Sequence, residues 1–584
     1  MIRAANPTRR GPQGIHTRRS GHMRPAQARA YALAGTAALA AAGLAACGGG
    51  SDSGGDSEAT WAISSGWESW NENTADGNNS YLHQVLTPGA TLLGDFDQDG
   101  QWVFNDALLS KAPELTSESP MTVEYTLNEN AQWSDGEDFG ADDFTYIWYQ
   151  MSGDEAKCAQ DACVPASTDW GANVASIEET AENVVTMTYV DGYLDPEWEF
   201  FGLSMYPAHI AVDNGFADWK TDPAVMGESA TWFAQNPPTW STGPYTPTDA
   251  VAGDYVTYEP NDKYQGTVDP GLDKLTLKVV EGTESIVTEL RQGSIDGAWP
   301  SEFSQEELDK VADDSAITTE VYEGSIWLHI DTNTNNEFLA DQALRQAVFT
   351  AIDNEDIIAK NYPDTEVAAR KNHFFNAASE FFVDSLGATD PLQGSGDADA
   401  ANAALEAAGY TTGDTLMTPD GDPVTLDFRY GEGDLTRQTT GELVQAYLAE
   451  IGIDVSLEAI PDGDLGTVLS EGNFDMIIFG WSGTPAFTTA PQQYFASDSS
   501  SNFGSYTLDG LDEAIAKVRS TTDIAESAQF ANDVDAMVMP AAFTLPLLDE
   551  PQSTLYNNGT LTGIVANGNS QAGPLWNVRE WKPA

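Results

Sequence analysis

Carboxylates two residues apart open the segment GDFDQDGQWVFND, residues 94–106. A helix–loop–helix calcium site takes its ligands from positions 1, 3, 5, 7 and 12 of such a loop and needs glycine at position 6. These positions hold, in order, Asp95, Asp97, Asp99, Gln101 and Asp106, with Gly100 at the sixth. Position 12 usually supplies a longer, bidentate Glu, and no clear helical pattern precedes the loop. Because Asp and Gly also provide the backbone angles of a tight turn, we predict a turn without metal and keep a calcium loop as the alternative.

The cysteines indicate oxidation rather than metal binding. Apart from Cys47, the chain contains only Cys158 and Cys163. In an exported protein a pair this close typically forms a local disulfide, and no His or second Cys pair lies nearby in sequence to complete a metal site. We therefore predict a Cys158–Cys163 disulfide.

Common catalytic signatures are absent from the sequence. It contains no H-E-x-x-H, no G-x-S-x-G and no phosphate-binding G-x-x-x-x-G-K-[ST] motif. With 91 Asp and Glu in the chain, a pair of carboxylates carries no information about glycosidase chemistry. The sequence therefore predicts a binding protein rather than an enzyme, with no cofactor, and any ATP hydrolysis belongs to a separate subunit.

Charge divides the chain into a short basic leader and an acidic body. Seven of the 25 Lys and Arg precede Cys47, whereas all 91 Asp and Glu follow it, so the body carries 18 cations against 91 acids. Such a surface repels nucleic acid and anionic lipid headgroups, and we predict neither as a partner of the body.

The leader has the pattern of an export signal. After its arginines comes YALAGTAALAAAGLAA, residues 31–46, which is too short and too rich in Ala for a membrane span. The run ends at Cys47 and resembles the lipobox of bacterial lipoproteins, in which that cysteine is lipidated after cleavage. We therefore predict a signal peptide over 1–46 and a lipidated Gly/Ser tether over 47–57, which anchors the body to the outer face of the cell membrane.

Strand and helix patterns alternate along the body. MTVEYTLNEN alternates with period two, and FDMIIFGW is a continuous apolar strand of the buried kind. ADDFTYIWYQM has helical spacing, and DQALRQAVFTAIDNEDIIAKNY predicts one longer amphipathic helix that starts at Asp341. Alternation of this kind over some 500 residues predicts an α/β protein of more than one lobe.

Seven segments in order resemble family 5 of the extracellular solute-binding proteins, the peptide-binding components of ABC importers. They are VEYTLNENAQWSDGEDFGADDFTYIW, WSTGPYTP, VTYEPNDKYQGTVDPGLDKLTLKVVEGTESIVTELRQGSID, NTNNEFLADQALRQAVFTAID, ANAALEAAGY, LVQAYLAEIGIDV and GNFDMIIFGW. The sequence departs from the family pattern at Glu337, where the family helix begins with Pro.

The resemblance implies a two-lobed α/β fold of the periplasmic-binding-protein type, with an extra inserted subdomain and a ligand cleft between the lobes. On this sequence we place lobe I at 58–85, 231–325 and 555–584, the inserted subdomain at 86–230, and lobe II at 326–554. The lobes close over the solute by a hinge movement.

Candidate ligand residues come from three places. Trp481 matches the G-W motif that leads into the family cleft, followed by Ser482, Gly483 and Thr484. Peptide binders of the family often carry an Asp shortly after this Trp, but none stands between Trp481 and Phe495 here, which puts recognition of a free peptide N-terminus in doubt.

The second group lies in the first loop, where flat aromatic faces alternate with amides, and the third is a rare cation in lobe II. These candidates are Trp67, Trp70, Asn71, Asn73 and Arg370. The tryptophans equally suit a hydrophobic core, and Arg370 equally suits a solvated surface.

Two functions follow. The first is a monomeric, lipid-anchored receptor that delivers a solute, by default a peptide, to the permease of an ABC importer with separate ATPase subunits. The second is an envelope accessory lipoprotein of the same fold that binds a glycolipid or cell-wall intermediate without transport. The sequence does not identify the solute.

Overall fold

The computed structural model describes residues 57–89, 92–363, 365–461 and 464–584. The predicted signal peptide, Cys47 and all of the tether except Ser57 lie outside this part of the chain. Within it, no helix combines the length and the apolar character needed to cross a bilayer.

Strands and helices alternate throughout. The strands are β1 (Glu58–Ile63), β2 (Gly94–Phe96), β3 (Trp102–Phe104), β4 (Glu114–Glu118), β5 (Met121–Thr126), β6 (Val174–Ala181), β7 (Val184–Tyr189), β8 (Tyr245–Val251), β9 (Tyr255–Pro260), β10 (Lys274–Val279), β11 (Gly297–Ala298), β12 (Ile317–Thr332), β13 (Thr425–Gly431), β14 (Asp454–Ile460), β15 (Met476–Ser482), β16 (Thr544–Asn557), β17 (Leu561–Thr562) and β18 (Lys582–Pro583).

The α-helices are α1 (Ser80–Leu86), α2 (Ala141–Met151), α3 (Gln160–Cys163), α4 (Ala208–Asp213), α5 (Pro223–Gln235), α6 (Thr283–Gln292), α7 (Gln305–Asp309), α8 (Gln342–Ala351), α9 (Asn354–Asn361), α10 (Ala398–Ala407), α11 (Leu435–Glu450), α12 (Leu465–Glu471), α13 (Ala490–Phe495), α14 (Leu511–Val518) and α15 (Ile524–Ala541). Short 3₁₀ helices cover Thr87–Gly89, Gly171–Asn173, Leu386–Ala388 and Gly573–Glu580.

A mixed sheet runs through the molecule in the order β14-β13-β15-β12-β16-β11-β1-β10-β9-β8. The fourth and fifth strands of this order, β12 and β16, pair antiparallel along most of their length. The register between them shifts between Glu323 and Trp327, so the ladder is irregular there. The two strands contain WLHIDT (327–332) and LPLLDEP (545–551), extended segments near which the sequence predicts the linkers between the lobes.

Three hydrophobic cores follow the predicted regions. One core combines residues 59–85, 245–299 and 561–581, a second spans 93–240, and a third spans 328–548. Helix α5 continues through the predicted limit at 230/231, and Phe233 packs into the second core. The domain limits themselves stay a prediction.

The predicted long helix of lobe II is two helices. Helix α8 ends at Ala351, because Ile352 has an extended backbone with ψ 136°, and α9 starts after Asp353. The Asp353 carboxylate accepts a hydrogen bond from the Asp356 N–H at 3.0 Å, which caps α9 and makes the interruption stable. The prediction of one helix was therefore wrong, since an Asp in the middle of an apolar pattern acted as an N-cap.

Candidate functional site

A cavity of about 1240 Å³, measured out to its open mouth, lies where lobe I, the inserted subdomain and lobe II meet. We call it the main cavity. Its walls come from the segment after β1, the hairpin β2–β3, the loop that follows β7 and the loop that follows β15. The C-terminal segment adds Asn569 and Gln571, and the inserted subdomain also adds Met151 and 166–167. Distant stretches of chain thus line one cleft, as solute binding requires.

A second cavity of about 800 Å³ adjoins the first, and we call it the side pocket. It lies between the inserted subdomain and lobe I. The residues that line both cavities form what we call the neck, and they are Glu72, His83, Leu92, Gly94, Asp95 and Ser204.

The neck places an imidazole between two carboxylates. A 3.3 Å hydrogen bond joins His83 Nδ1 to Glu72 Oε2, and the Ser204 hydroxyl donates to Glu72 Oε1. Burial lowers the pKa of His83, but the charge and hydrogen bond of Glu72 and the charge of Asp95 outweigh it, so the pKa is raised overall. The imidazole is therefore biased toward its charged form and offsets one of the two neck carboxylates.

Local structure fixes these side chains. Helix α1, which carries His83, begins at Asn79, whose side chain accepts from the N–H groups of Tyr81 and Leu82. Asp95 lies on β2 and accepts a hydrogen bond from the Ser570 hydroxyl at 2.6 Å. Burial raises the pKa of the Asp95 carboxyl against the opposing effects of Ser570 and His83. A cation brought to the neck would favour the ionised form of this carboxyl.

Glu197 lines the main cavity and also accepts hydrogen bonds from lobe II. Its carboxylate accepts from the Thr489 N–H at 2.7 Å and from the Thr488 hydroxyl at 3.2 Å. Burial, together with the charge of Asp195, raises the pKa of Glu197 to about 7.

More contacts bridge the same two regions. Arg519 donates to the Tyr193 hydroxyl at 2.7 Å, and the Trp198 indole donates to the Thr522 carbonyl at 3.3 Å. Because the loop after β7 both lines the cavity and bonds to lobe II, the cavity is closed on this side.

Lobe II presents a neutral wall. Gly483 and Thr484, in the turn after β15, line the main cavity, and they also line a smaller hinge cavity of about 370 Å³. That these two residues contact the ligand stays a prediction. Ser482 is exposed at the end of β15 but lines neither cavity.

Arg370 lines the hinge cavity, but its guanidinium already has protein partners. It forms an ion pair with Asp549, donates to the Asn372 carbonyl at 2.8 Å and lies 4.8 Å above the Trp327 ring. The side chain is only 5 % exposed. The buried arginine thus bridges β12, through Trp327, and β16, through Asp549.

The aromatic candidates lie outside the main cavity. Trp67 and Trp70 are 4 % and 3 % exposed, pack edge to face at 5.5 Å and belong to the lobe I core. Trp481 is half-buried and stacks on Tyr494 and Phe503 at 4.8 and 5.7 Å. The structure thus places these rings in hydrophobic packing rather than on the wall of the main cavity, where contact with the ligand was expected.

The amides of the first loop divide. Asn73 lines the main cavity and donates to the Ser204 carbonyl at 2.8 Å. Asn71 is fully buried and accepts from the Asn73 N–H at 3.2 Å, so it supports the loop rather than facing the cavity.

The acidic segment 94–106 forms a β-hairpin. Asp97 accepts from the N–H groups of Asp99 and Gln101 at 2.9 and 2.8 Å, and Gly100 has φ +72°. Asp106 bonds instead to Thr267 at 2.6 Å. Across the described residues, no group of three His, Cys, Asp or Glu is placed to hold a metal. The carboxylates therefore have separate roles, and the predicted turn is present.

The disulfide between Cys158 and Cys163 is present, with Cα atoms 6.2 Å apart. The disulfide closes the short segment that contains helix α3, and α3 packs against helix α5.

Sequence reasoning missed the charged residues of the site. Glu72, His83 and Glu197 were not singled out, and Asp95 was considered only as a calcium ligand. Glu72 lies between the predicted Asn71 and Asn73, so its neighbours were the available signal. Nothing in the spacing of Glu197 distinguishes it from the other acids of the chain.

Comparisons with known proteins agree with this geometry. Residues 107–503 match the family model described as bacterial extracellular solute-binding proteins, family 5 Middle. The oligopeptide-binding protein OppA of Mycobacterium tuberculosis (strain ATCC 25618 / H37Rv) is 27 % identical over 508 residues, which cover 84 % of this chain and 80 % of that protein.

Two further likenesses have different ligands in their names. The structure of a periplasmic EDTA-binding protein, EppA, is 28 % identical, has a TM-score of 0.81 and covers 91 % of this chain and 97 % of that one. The probable monoacyl phosphatidylinositol tetramannoside-binding protein LpqW of M. tuberculosis is 35 % identical, but over only 120 residues, 20 % of this chain and 17 % of that protein. The overall likeness to EppA confirms the predicted α/β fold.

Proposed function

The chain belongs to family 5 of the bacterial extracellular solute-binding proteins, and from this premise we propose that it captures a peptide in the main cavity and delivers it to an ABC importer. Members of this family work outside the cytoplasm. We further propose that Cys47 carries a lipid anchor and that the importer's permease and ATPase are separate subunits. In this account the protein is a receptor without catalysis.

The observation that carries the proposal is the main cavity, which is open to solvent and has charged groups on one wall. About 370 Å³ of it is available to a water-sized molecule, within the ~300–1,000 Å³ typical of pockets for small molecules. A short peptide suits this volume. The neck carboxylates supply a partner for a peptide ammonium, which the segment after Trp481 does not.

The glycolipid-binding accessory lipoprotein is the second candidate. The partial likeness to LpqW favours it, and so does the apolar side pocket. The charges oppose it, because a phosphate there would lie near three carboxyl groups, those of Glu72, Asp95 and Glu197, against the single imidazole of His83. The same argument opposes an anionic metal chelate of the kind named for EppA.

Mass spectrometry of natively purified protein tests the proposal. Small molecules released on unfolding are compared with those from a mock purification. Peptides of mixed sequence are the expected result. A glycolipid or a chelate, with no peptide, would replace the proposal with the corresponding alternative.

A preparation that releases nothing is then titrated with a pentapeptide mixture. Retention of peptides supports the receptor function. Failure to retain any peptide contradicts it.

A further inference from the structure

The side pocket has an apolar wall that no described side chain fills. Leu86, Val103, Phe104, Pro244 and Trp576 line it. Val103 is 39 % exposed on β3, although it is a large hydrophobic residue. Removing such surface from water is favourable by roughly 25 cal/mol of free energy per Å², so an apolar group gains affinity by occupying the pocket.

The pocket adjoins the main cavity at the neck, where Glu72 and Asp95 both act electrostatically on His83. The one arginine lining the pocket is already engaged, since Arg579 lies 3.4 Å from Asp106. An anionic group at the neck would meet two carboxyl groups against the single imidazole of His83, so a cationic group is the better partner there.

We propose that the side pocket holds an apolar group of the solute, aromatic or branched aliphatic, and that the neck carboxylates bind a cationic group next to it. The inference rests on the proposed solute-binding function and names the chemistry of the solute. It assigns recognition of charge to Glu72 and Asp95 and recognition of shape to the wall around Val103.

The connection and the size of the pocket support this assignment, and the energy of burial sets the expected effect. The pocket is continuous with the main cavity through six shared residues. About 90 Å³ of it is available to a water-sized molecule, which is room for one apolar group. Full burial of one such side chain is worth about 1.5–3 kcal/mol, which corresponds to roughly tenfold to hundredfold in affinity.

The test uses three small probes of one shape and different charge. Phenethylamine carries a cation beside a phenyl ring, 2-phenylethanol is its neutral counterpart, and phenylacetate is an anionic one. Affinities are measured by ligand-observed NMR on the full chain. We expect phenethylamine to bind most tightly and phenylacetate most weakly, with about tenfold between the cation and the neutral probe.

Pocket filling locates the ring. Val103→Trp should weaken phenethylamine and 2-phenylethanol alike, by about tenfold. Val251→Trp is the matched control, because Val251 is 45 % exposed on β8 and lines neither cavity. It should leave both affinities within about twofold.

Charge removal locates the cation. Asp95→Asn should abolish the preference for phenethylamine over 2-phenylethanol while leaving the neutral probe unchanged. Asp99→Asn is the control on the same hairpin, since Asp99 is exposed and lines neither cavity. A variant that merely unfolds would lose both probes, and its circular dichroism would show this.

Several results overturn the inference. They are phenylacetate binding as tightly as phenethylamine, no binding of phenethylamine, or unchanged affinity in folded Val103→Trp. A pentapeptide mixture separates this failure from failure of the proposed function. Peptides retained without preference for apolar residues or free ammonium groups overturn only the inference, whereas phenethylamine binding without any peptide retained overturns only the peptide-receptor proposal.

Discussion

The two walls of the main cavity differ in charge and in what their charges do. On the wall formed by the first loop, the β2–β3 hairpin and the loop after β7, Glu72, His83, Asp95 and Glu197 line the space. On the lobe II wall, the lining residues Gly483 and Thr484 are neutral.

Lobe II does carry charges near the cleft, but they are used within the protein. Arg370 and Asp549 are buried against each other at the irregular crossing of β12 and β16. The difference teaches that a rare cation near a cleft need not contact ligand. We propose that the first wall recognises the solute and that the lobe II wall covers it.

Breaking the lobe II ion pair should have the largest effect, and it should act on stability. Arg370→Ala leaves Asp549 buried without its partner, so we expect a loss of about 3–5 kcal/mol in the free energy of unfolding. Chemical denaturation measures it. Lys371→Ala is the control, because Lys371 pairs with Asp384 at 3.3 Å with both side chains exposed, and it should cost at most about 1 kcal/mol. Equal losses in the two variants would show that Arg370 does not hold the hinge.

Removing charge from the other wall should instead act on binding. Glu72→Gln keeps the shape of the neck but removes a carboxylate, and we expect peptide affinity to fall about tenfold. Because the change also removes the charge partner of His83, circular dichroism checks that the variant is folded. Isothermal titration with a retained peptide measures the loss. Glu68→Gln serves as the matched control, since Glu68 is exposed on the same loop and lines neither cavity. Unaltered affinity in Glu72→Gln would remove the charged wall from recognition.

Glu197 belongs to the charged wall and forms hydrogen bonds to lobe II. Its protonation therefore affects how the two regions are held together. Its pKa of about 7 lies above the ordinary value of 4.5. Between these pH values the folded state binds more protons than the unfolded state, so this group makes stability fall as pH rises from about 4.5 to 7.

We expect Glu197→Gln to reduce that fall by on the order of 1 kcal/mol, allowing for the partial exposure of the group. Denaturation midpoints at a series of pH values measure the slope. A wild-type slope of the opposite sign, unaltered in the variant, would contradict this role.

The smallest effect should come from the neutral wall. Thr484→Val removes one hydroxyl from the lobe II wall, and we expect peptide affinity to change no more than about threefold. The same titration measures it. A loss as large as that of Glu72→Gln would mean that lobe II also recognises the solute, and the contrast between the walls would disappear.

Periodicity predicted many elements because local pattern and burial agree there. MTVEYT is β5 with strictly alternating burial, and MIIFGW lies in β15, whose first four residues are all buried. Gly293 ends α6 with φ +69°, as a helix C-terminus favours. The prediction of one long helix failed at Asp353, because its side chain caps a new helix despite the continuous helical spacing.

The site was less predictable for a physical reason. Glu72, His83 and Asp95 follow no known motif, Glu197 lies 102 residues beyond Asp95, and only packing brings Glu72 next to Ser204. The aromatic signal did not decide, because Trp67 and Trp70 serve equally well as core, and the lobe I core contains them. Family resemblance, unlike spacing, carries tertiary information, and it singled out Gly483 and Thr484, which line the main cavity.

A crystal structure with a bound peptide tests the contrast between the two walls most directly. The account predicts the peptide ammonium within about 3 Å of a carboxylate of Glu72 or Asp95, with Gly483 and Thr484 covering the peptide from the other side. An ammonium held by lobe II, or a peptide carboxylate paired with Arg370 in place of Asp549, would contradict it.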